Sequence, residues 1–218
     1  MIEVTFADVY ISCLRWFIGL LAGSIVGGSI GAALAYAGKG SLFVSAILHF
    51  ARAVPVLGLV PVIQYLFGIS ELGKFILIAW AVMFPVWISV ETALANRLTE
   101  LELSLDAIGV GGSDFAISYV FPRLLSGFFQ GIQISIGVGW LSVVAAEFIG
   151  TFSSGFWSGG LGYKLFLAFD LNDWMMGIFA LGLFGALGMI SAWVWNALVV
   201  RLVFLRPGFD PLSWRKYG

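Results

Sequence analysis

Five long stretches of this chain carry no charged side chain, and they constrain its fold more than any other feature. They are Trp16–Gly38, Ala53–Ser70, Phe75–Val90, Leu124–Ala146 and Trp174–Val200. A bilayer core needs about 20 mainly apolar residues per helix, and the two shorter runs reach that length by extending past a flanking charge. The runs lack the stripes or alternation that a soluble core requires. Only 11% of the residues are charged, against about 25% in soluble domains. The sequence therefore predicts an all-α membrane protein, a polytopic bundle of about five transmembrane helices, with residues 1–218 as a single transmembrane domain.

The segment 97–123 interrupts this apolar pattern between the third and fourth runs. Its charged residues are Arg97, Glu100, Glu102, Asp106, Asp114 and Arg123. A charged segment between two membrane-length runs is typical of a structured loop at a membrane face, where a soluble protein docks. We expect a short helix over 104–115, with Asp106 in the first turn, where a carboxylate complements the helix dipole. Gly109 has no side chain, so a partner can approach its backbone closely.

Basic residues predict the orientation of the five spans. One side of the membrane would hold Lys39, Arg97, Arg123, Arg201, Arg206, Arg215 and Lys216, and the other only Lys74 and Lys164. The positive-inside rule therefore predicts a cytoplasmic segment 97–123, a cytoplasmic C-terminus and an external N-terminus. The acidic start of the chain lacks the basic n-region of an ordinary signal peptide.

Small residues and prolines predict how the spans pack. Glycines recur every four residues at Gly19, Gly23, Gly27 and Gly31, and a second ridge of small residues comprises Gly127, Gly131, Ser135 and Gly139. Such ridges let another helix approach closely, either inside one subunit or across a sliding or dimer contact. Pro55, Pro61 and Pro85 are expected to interrupt helices, which is tolerated where the break faces protein or a cavity.

A line of polar residues follows Pro122 at intervals of seven. Ser126, Gln133, Trp140 and Glu147 therefore share one helix face. A glutamate near the end of a span usually faces a bundle interior or water-filled space, because lipid exposure costs several kcal/mol. Gln133, Trp140 and Glu147 are thus candidates for lining a translocation pathway, and hydrogen bonds to neighbouring helices are the alternative.

Several chemical functions find no support in the residues. The run Gly38-Lys39-Gly40-Ser41 lacks the spacing of a nucleotide-binding P-loop. With one cysteine, Cys13, and one histidine, His49, a His/Cys metal site cannot form.

Two other classes of membrane protein are considered as alternatives. An intramembrane enzyme would need a clustered nucleophile and base, which the sequence does not show. An ion-coupled secondary transporter would need ionisable residues inside several spans, and the nearest candidates are Arg15, Arg52, Glu91 and Glu147. The net charge of −1 gives no indication of a nucleic-acid partner.

The charged segment resembles a known family, the permease subunits of binding-protein-dependent ABC transporters. The spacing of Gly109 and Pro122, closed by Val120-Phe121-Pro122, looks like the cytoplasmic loop of that family. The family carries a Glu-Ala-Ala triplet six residues before the glycine. This chain has Leu103-Ser104-Leu105 there, with Glu102 one residue out of register, so it departs from the family pattern at these positions.

Further patterns are similar to one branch, the permeases for nitrate, sulfonate, taurine and bicarbonate. In chain order they are Leu14-Arg15 with the glycine ridge, Arg52-Ala53-Val54-Pro55, Leu59-Val60-Pro61, Phe67-Gly68-Ile69 with Lys74, Gly139-Trp140-Leu141, Val144-Ala145-Ala146-Glu147, and Gly160-Leu161-Gly162-Tyr163. Members of the branch usually carry one more helix before the arginine helix, which is the first helix expected here.

The resemblance implies an ABC importer type I permease fold with a cytoplasmic coupling helix, in a multi-pass protein of the cytoplasmic (inner) membrane. Two permease subunits, expected as a homodimer, would form the pathway, and an external substrate-binding protein would deliver the solute. Two cytoplasmic ATP-binding subunits would carry ATP and Mg, so this chain would hold no cofactor and no ATPase site. Coupling would involve Glu102, Asp106, Gly109, Gly111 and Pro122. The solute would be a small anion such as nitrate, bicarbonate, a sulfonate or an organic acid, with a vitamin precursor such as a pyrimidine as the alternative.

Overall fold

The described part of the protein is helical throughout. The computed structural model describes residues 4–37, 42–95, 120–149 and 159–204, and its secondary structure there is α-helical apart from short turns. The helices are α1 Phe6–Ala37, α2 Leu42–Arg52, α3 Val56–Phe67, α4 Glu71–Ala95, α5 Phe121–Glu147, α6 Leu161–Asp170 and α7 Trp174–Phe204. The predicted all-α class is confirmed for these residues.

Four helices in the described ranges are long and apolar enough to cross a membrane. They lie within α1, α4, α5 and α7, and α2 with α3 forms a fifth candidate only if this pair, bent by 96°, counts as one span. The predicted number of about five spans agrees with this arrangement. The predicted second span, Ala53–Ser70, contains a helix of only 12 residues, α3, and the chain turns sharply just before it.

Proline chemistry explains the bend but not every predicted interruption. Pro55 is the N-cap of α3, with an extended backbone at φ −64° and ψ 132°, and a proline disfavours helical geometry in the residue before it. The prediction that Pro61 and Pro85 interrupt helices is wrong, because both lie inside continuous helices, α3 and α4. Packing against neighbouring helices allows a membrane helix to continue through a proline.

Helix α4 is the centre of the bundle, and both glycine ridges pack on it. A Cβ atom at Gly27 of α1 would overlap the carbonyl oxygen of Met83, and one at Gly131 of α5 would lie 2.6 Å from the Cα of Val86. Ser135 donates a hydrogen bond of 3.0 Å to the carbonyl oxygen of Val82. The ridges therefore serve close packing inside one subunit, where small residues let helix backbones approach.

Apolar side chains of α4 fill the space between the two ridges. Leu77, Ile78, Val82, Val86 and Val90 are fully buried. By contrast, α7 exposes large apolar side chains such as Trp174, Met175, Ile178 and Trp193. A helix with apolar side chains around its whole circumference is suited to lipid on one side and protein on the other.

Candidate functional site

Arg15 lies at the centre of a buried cluster of charged side chains at one end of the bundle. Its Nε and Nη2 atoms donate to the two oxygens of Glu71 over 2.7 and 2.6 Å. Its Nη1 donates to Glu147 over 2.8 Å and to the carbonyl oxygen of Gly159 over 2.6 Å. The guanidinium group is 2% exposed and the Glu147 side chain is fully buried. A single arginine thus joins α1, α4 and α5.

The same cluster binds the N-terminus of α6. Three consecutive backbone N–H groups are bound by side chains: Gly160 donates to Asp8 over 3.1 Å, Leu161 to Ser12 over 2.9 Å, and Gly162 to Glu147 over 2.6 Å. These groups have no acceptor within their own helix, and the negative carboxylates complement the positive end of the helix dipole. Side chains of α1 and α5 therefore fix where α6 begins.

Two glycines lie directly beside the carboxylate of Glu147. Gly160 has φ +131°, and a Cβ atom there would overlap the carboxylate. A Cβ at Gly162 would lie 3.0 Å from Oε2 of Glu147. L-residues rarely adopt such a positive φ. The two glycines thus leave the space that the glutamate occupies.

Two lysines complete the charge balance of the cluster. Lys74 lies 2.9 Å from Oε1 of Glu71, and Lys164 lies 3.7 Å from Oδ2 of Asp8. Together with Arg15 they face three carboxylates, so the cluster is formally neutral. Removing charges from water is expensive, and only close pairing with further hydrogen bonds offsets that cost. The arrangement can hold the ends of α1, α4, α5 and α6 together.

The structure places the predicted pathway residues in three different environments. Glu147 belongs to the buried cluster. Trp140 stacks on Trp16 with ring centroids 5.2 Å apart and donates to the Ser191 hydroxyl over 3.2 Å. Gln133 is half-buried, and its Oε1 atom has no hydrogen-bond partner among the described residues. The three side chains therefore have different neighbours within this subunit.

The predicted coupling residues fall mostly outside the described part of the chain. Glu102, Asp106, Gly109 and Gly111 belong to the range 96–119, which lies outside it. Pro122 is in the first turn of α5, where a proline is well tolerated because its missing N–H would have no helical partner.

Sequence reasoning missed most of the charge cluster. Of its members, only Glu147 was predicted as a site residue; Asp8, Ser12, Arg15, Glu71, Lys74 and Lys164 were not. A signal was present in α1, where Asp8, Ser12 and Arg15 continue the glycine ridge at helical spacing. These three polar residues and the glycine ridge of α1 form one buried stripe along the helix.

A cavity lies beside the bend between α2 and α3, at half the depth of the bundle. Its volume is about 410 Å³, within the range of small-molecule sites. Arg52 is on its wall, and the remaining lining is mostly apolar, including Trp80, Phe84, Ile88 and Val138. Val138 lies in the central part of α5, about nine residues, or roughly 14 Å along the helix, from Glu147. The cavity is thus separate from the charge cluster.

Long apolar helices and glycine-mediated packing are typical of a multi-pass membrane protein. The family model for the binding-protein-dependent transport system inner membrane component matches residues 19–205. The chain belongs to this family of transport-system permeases, and the all-α fold is that of an ABC importer type I permease.

Individual relatives identify the branch. The chain is 28% identical over 160 residues to the putative aliphatic sulfonates transport permease protein SsuC of Bacillus subtilis, an alignment covering 73% of this chain and 56% of that protein. It is 29% identical over 165 residues to the taurine transport system permease protein TauC of Escherichia coli, covering 73% and 58%. It is 25% identical over 198 residues to the nitrate import permease protein NrtB of Synechococcus elongatus, covering 86% and 67%.

These matches confirm the predicted resemblance to the nitrate, sulfonate and taurine branch. The alignments span only about half to two thirds of the length of these relatives. Two of the local patterns that carried the resemblance, Val144–Glu147 and Gly160–Tyr163, meet in the charge cluster through Glu147 and the glycines of α6.

Proposed function

We propose that this chain is the permease subunit of an ATP-driven importer that moves a small anionic solute across the cytoplasmic membrane by alternating access. The family match over residues 19–205 carries the proposal. The names of the relatives add the solute class: aliphatic sulfonates, nitrate, taurine and bicarbonate all bear an oxoanion group.

The energy source in this proposal is a partner. Two cytoplasmic subunits bind ATP and Mg and dock on the segment 97–123 through Glu102, Asp106, Gly109, Gly111 and Pro122. ATP-driven closure of these subunits favours one arrangement of the helices over the other, which is a population shift produced by differential binding. An external binding protein delivers the solute, a second copy of this chain completes the pathway, and the C-terminus is cytoplasmic.

The charge cluster has a defined part in this cycle. In the proposed orientation it lies at the external face, because α1 and α4 begin there and α5 ends there. It keeps these helix ends and α6 together while the cytoplasmic ends respond to the ATPases. For Gln133, Trp140 and Glu147, lining of the pathway stays a prediction. The unpaired oxygen of Gln133 supports it for that residue.

Reconstitution of the complex in liposomes tests the proposal. The permease with its ATPase subunits and binding protein should take up at least one of nitrate, bicarbonate, taurine and butanesulfonate only when Mg-ATP is present on the cytoplasmic side. Uptake should persist when ionophores abolish proton and sodium gradients. Uptake driven by an ion gradient without ATP would instead show an ion-coupled secondary transporter, the alternative function. Failure of the ATPase to co-purify with the permease would also contradict the proposal.

A further inference from the structure

Arg52 is the only charged residue among the described residues that line the cavity at the α2–α3 bend. It ends α2 and is exposed. No hydrogen bond or ion pair joins it to another described residue, in contrast with the fully paired Arg15. An unpaired charge at membrane depth is expensive unless it faces a water-filled space or a counter-ion. The cavity supplies that space.

Other hydrogen-bond donors lie in the same wall. Helix α3 begins at the cavity, since Val56 lines it, and no side chain caps the first turn. The N–H group of Gly58 donates to the carbonyl oxygen of Pro55 over 2.9 Å, which leaves those of Val56 and Leu57 for a ligand. The free N–H groups of a helix start favour an anion, and discontinuous membrane helices present such starts to anionic ligands.

The described part of the lining offers a favourable surface to an anion. None of the described residues that line the cavity is a carboxylate, and Ser89 adds a hydroxyl group. Most of the remaining surface is apolar, from Phe84, Ile88 and Val138 among others. A volume of about 410 Å³ exceeds the need of a three-oxygen inorganic ion and matches a small organic molecule.

We infer that this cavity binds an organic anion in transit, with the anionic group on Arg52 and the start of α3 and an apolar body against Phe84 and Ile88. The ligand class is a sulfonate or carboxylate that carries a short hydrocarbon or aromatic portion. This inference rests on the proposed function for its physiological meaning. The site itself can be tested without transport.

Thiol labelling measures the electrostatic preference of the cavity directly. In the assembled complex, Cys13→Ser removes the native thiol and Ser89→Cys places a nearly isosteric thiol in the cavity wall. The labelling rate of the anionic reagent sulfonatoethyl methanethiosulfonate is divided by that of its cationic trimethylammonioethyl counterpart. Adding Arg52→Gln should lower this ratio on the order of tenfold, because one nearby positive charge is lost. Arg52→Lys should keep the ratio close to the original value, and Arg201→Gln, at an exposed arginine near the end of α7, is the matched control.

An unchanged ratio in Arg52→Gln would overturn the inference. So would a thiol that neither reagent reaches, tested a second time with Ile88→Cys, because the cavity would then be closed to solutes or filled by lipid. These outcomes are independent of the proposed function, which fails separately if the wild-type complex shows no ATP-dependent uptake.

Protection of the same thiol distinguishes the ligand class. Butanesulfonate should slow labelling of Ser89→Cys at concentrations at which nitrate has little effect, and Arg52→Gln should abolish the protection. Equal protection by nitrate would overturn the assignment to an organic anion. Val138→Trp fills the cavity and should remove protection by butanesulfonate, whereas Leu141→Trp, at an exposed position of the same helix, should not.

Discussion

Replacing Glu147 by glutamine removes one charge from the buried cluster with almost no change in shape. The carboxylate accepts hydrogen bonds from Ser12, Arg15 and Gly162, over 2.7, 2.8 and 2.6 Å. A glutamine oxygen can retain one side of this arrangement. Its NH₂ group then faces the donors on the other side, so the variant loses both a charge and an acceptor.

The cost of Glu147→Gln follows from the partners that remain. Removing one member of a buried ion pair typically costs 3–5 kcal/mol. Arg15 keeps its two hydrogen bonds to Glu71, which places the expected loss at the lower end, about 3 kcal/mol. For a chain of this size, about 3 kcal/mol corresponds to roughly 6–12 °C in melting temperature.

The assay is thermal unfolding of the permease in nanodiscs, with Asp170→Asn as a control because Asp170 is exposed. Arg15→Gln alone leaves Glu71 and Glu147 without their shared partner and should also destabilise. The double variant Arg15→Gln, Glu147→Gln loses the Arg15–Glu147 ion pair only once, and Glu71 still has Lys74 as a partner. Its loss of stability should therefore be about 2 kcal/mol smaller than the sum of the losses in the two single variants.

Two results would refute this reasoning. A melting temperature of Glu147→Gln equal to that of the wild type would show that the ion pair does not hold the helix ends. Strict additivity in the double variant would show that Arg15 and Glu147 do not act on one another. If stability is retained while transport per assembled complex falls, the glutamate acts in the pathway instead.

Three further predictions concern glycines. Gly27→Leu should reduce stability by about 3 kcal/mol, since its side chain would enter the backbone of α4. At Gly137 a Cβ atom would have no neighbour within 4 Å, so Gly137→Leu should melt within about 2 °C of the wild type. Equal melting temperatures of the two variants would contradict the packing. Gly160→Ala combines strain at φ +131° with a collision with Glu147 and should lower stability by about 1–3 kcal/mol, measured by the same unfolding assay. Gly109→Trp should leave the permease folded in the membrane but abolish pull-down of the ATPase subunit or uncouple ATP hydrolysis from transport, and normal coupled transport would show that the segment 97–123 is not the docking element.

The sequence alone determined the membrane class and most of the spans. A charge-free run of membrane length is a local property, because the bilayer selects for it residue by residue. The described residues of the runs Trp16–Gly38, Phe75–Val90, Leu124–Ala146 and Trp174–Val200 accordingly fall in α1, α4, α5 and α7. The branch of the family was also readable, because its patterns are short and contiguous.

Only the tertiary structure decided which residues meet. Arg15 and Glu147 are 132 positions apart, and no local pattern specifies that pairing. The glycine ridges were compatible with contacts inside or between subunits, and their fit against α4 placed them inside one. Likewise, the prolines were equivalent as sequence signals, yet the helix is interrupted at Pro55 and continues through Pro61 and Pro85. Helix periodicity determines which face of a helix is small or polar, whereas the element opposite that face depends on the packing of the whole chain.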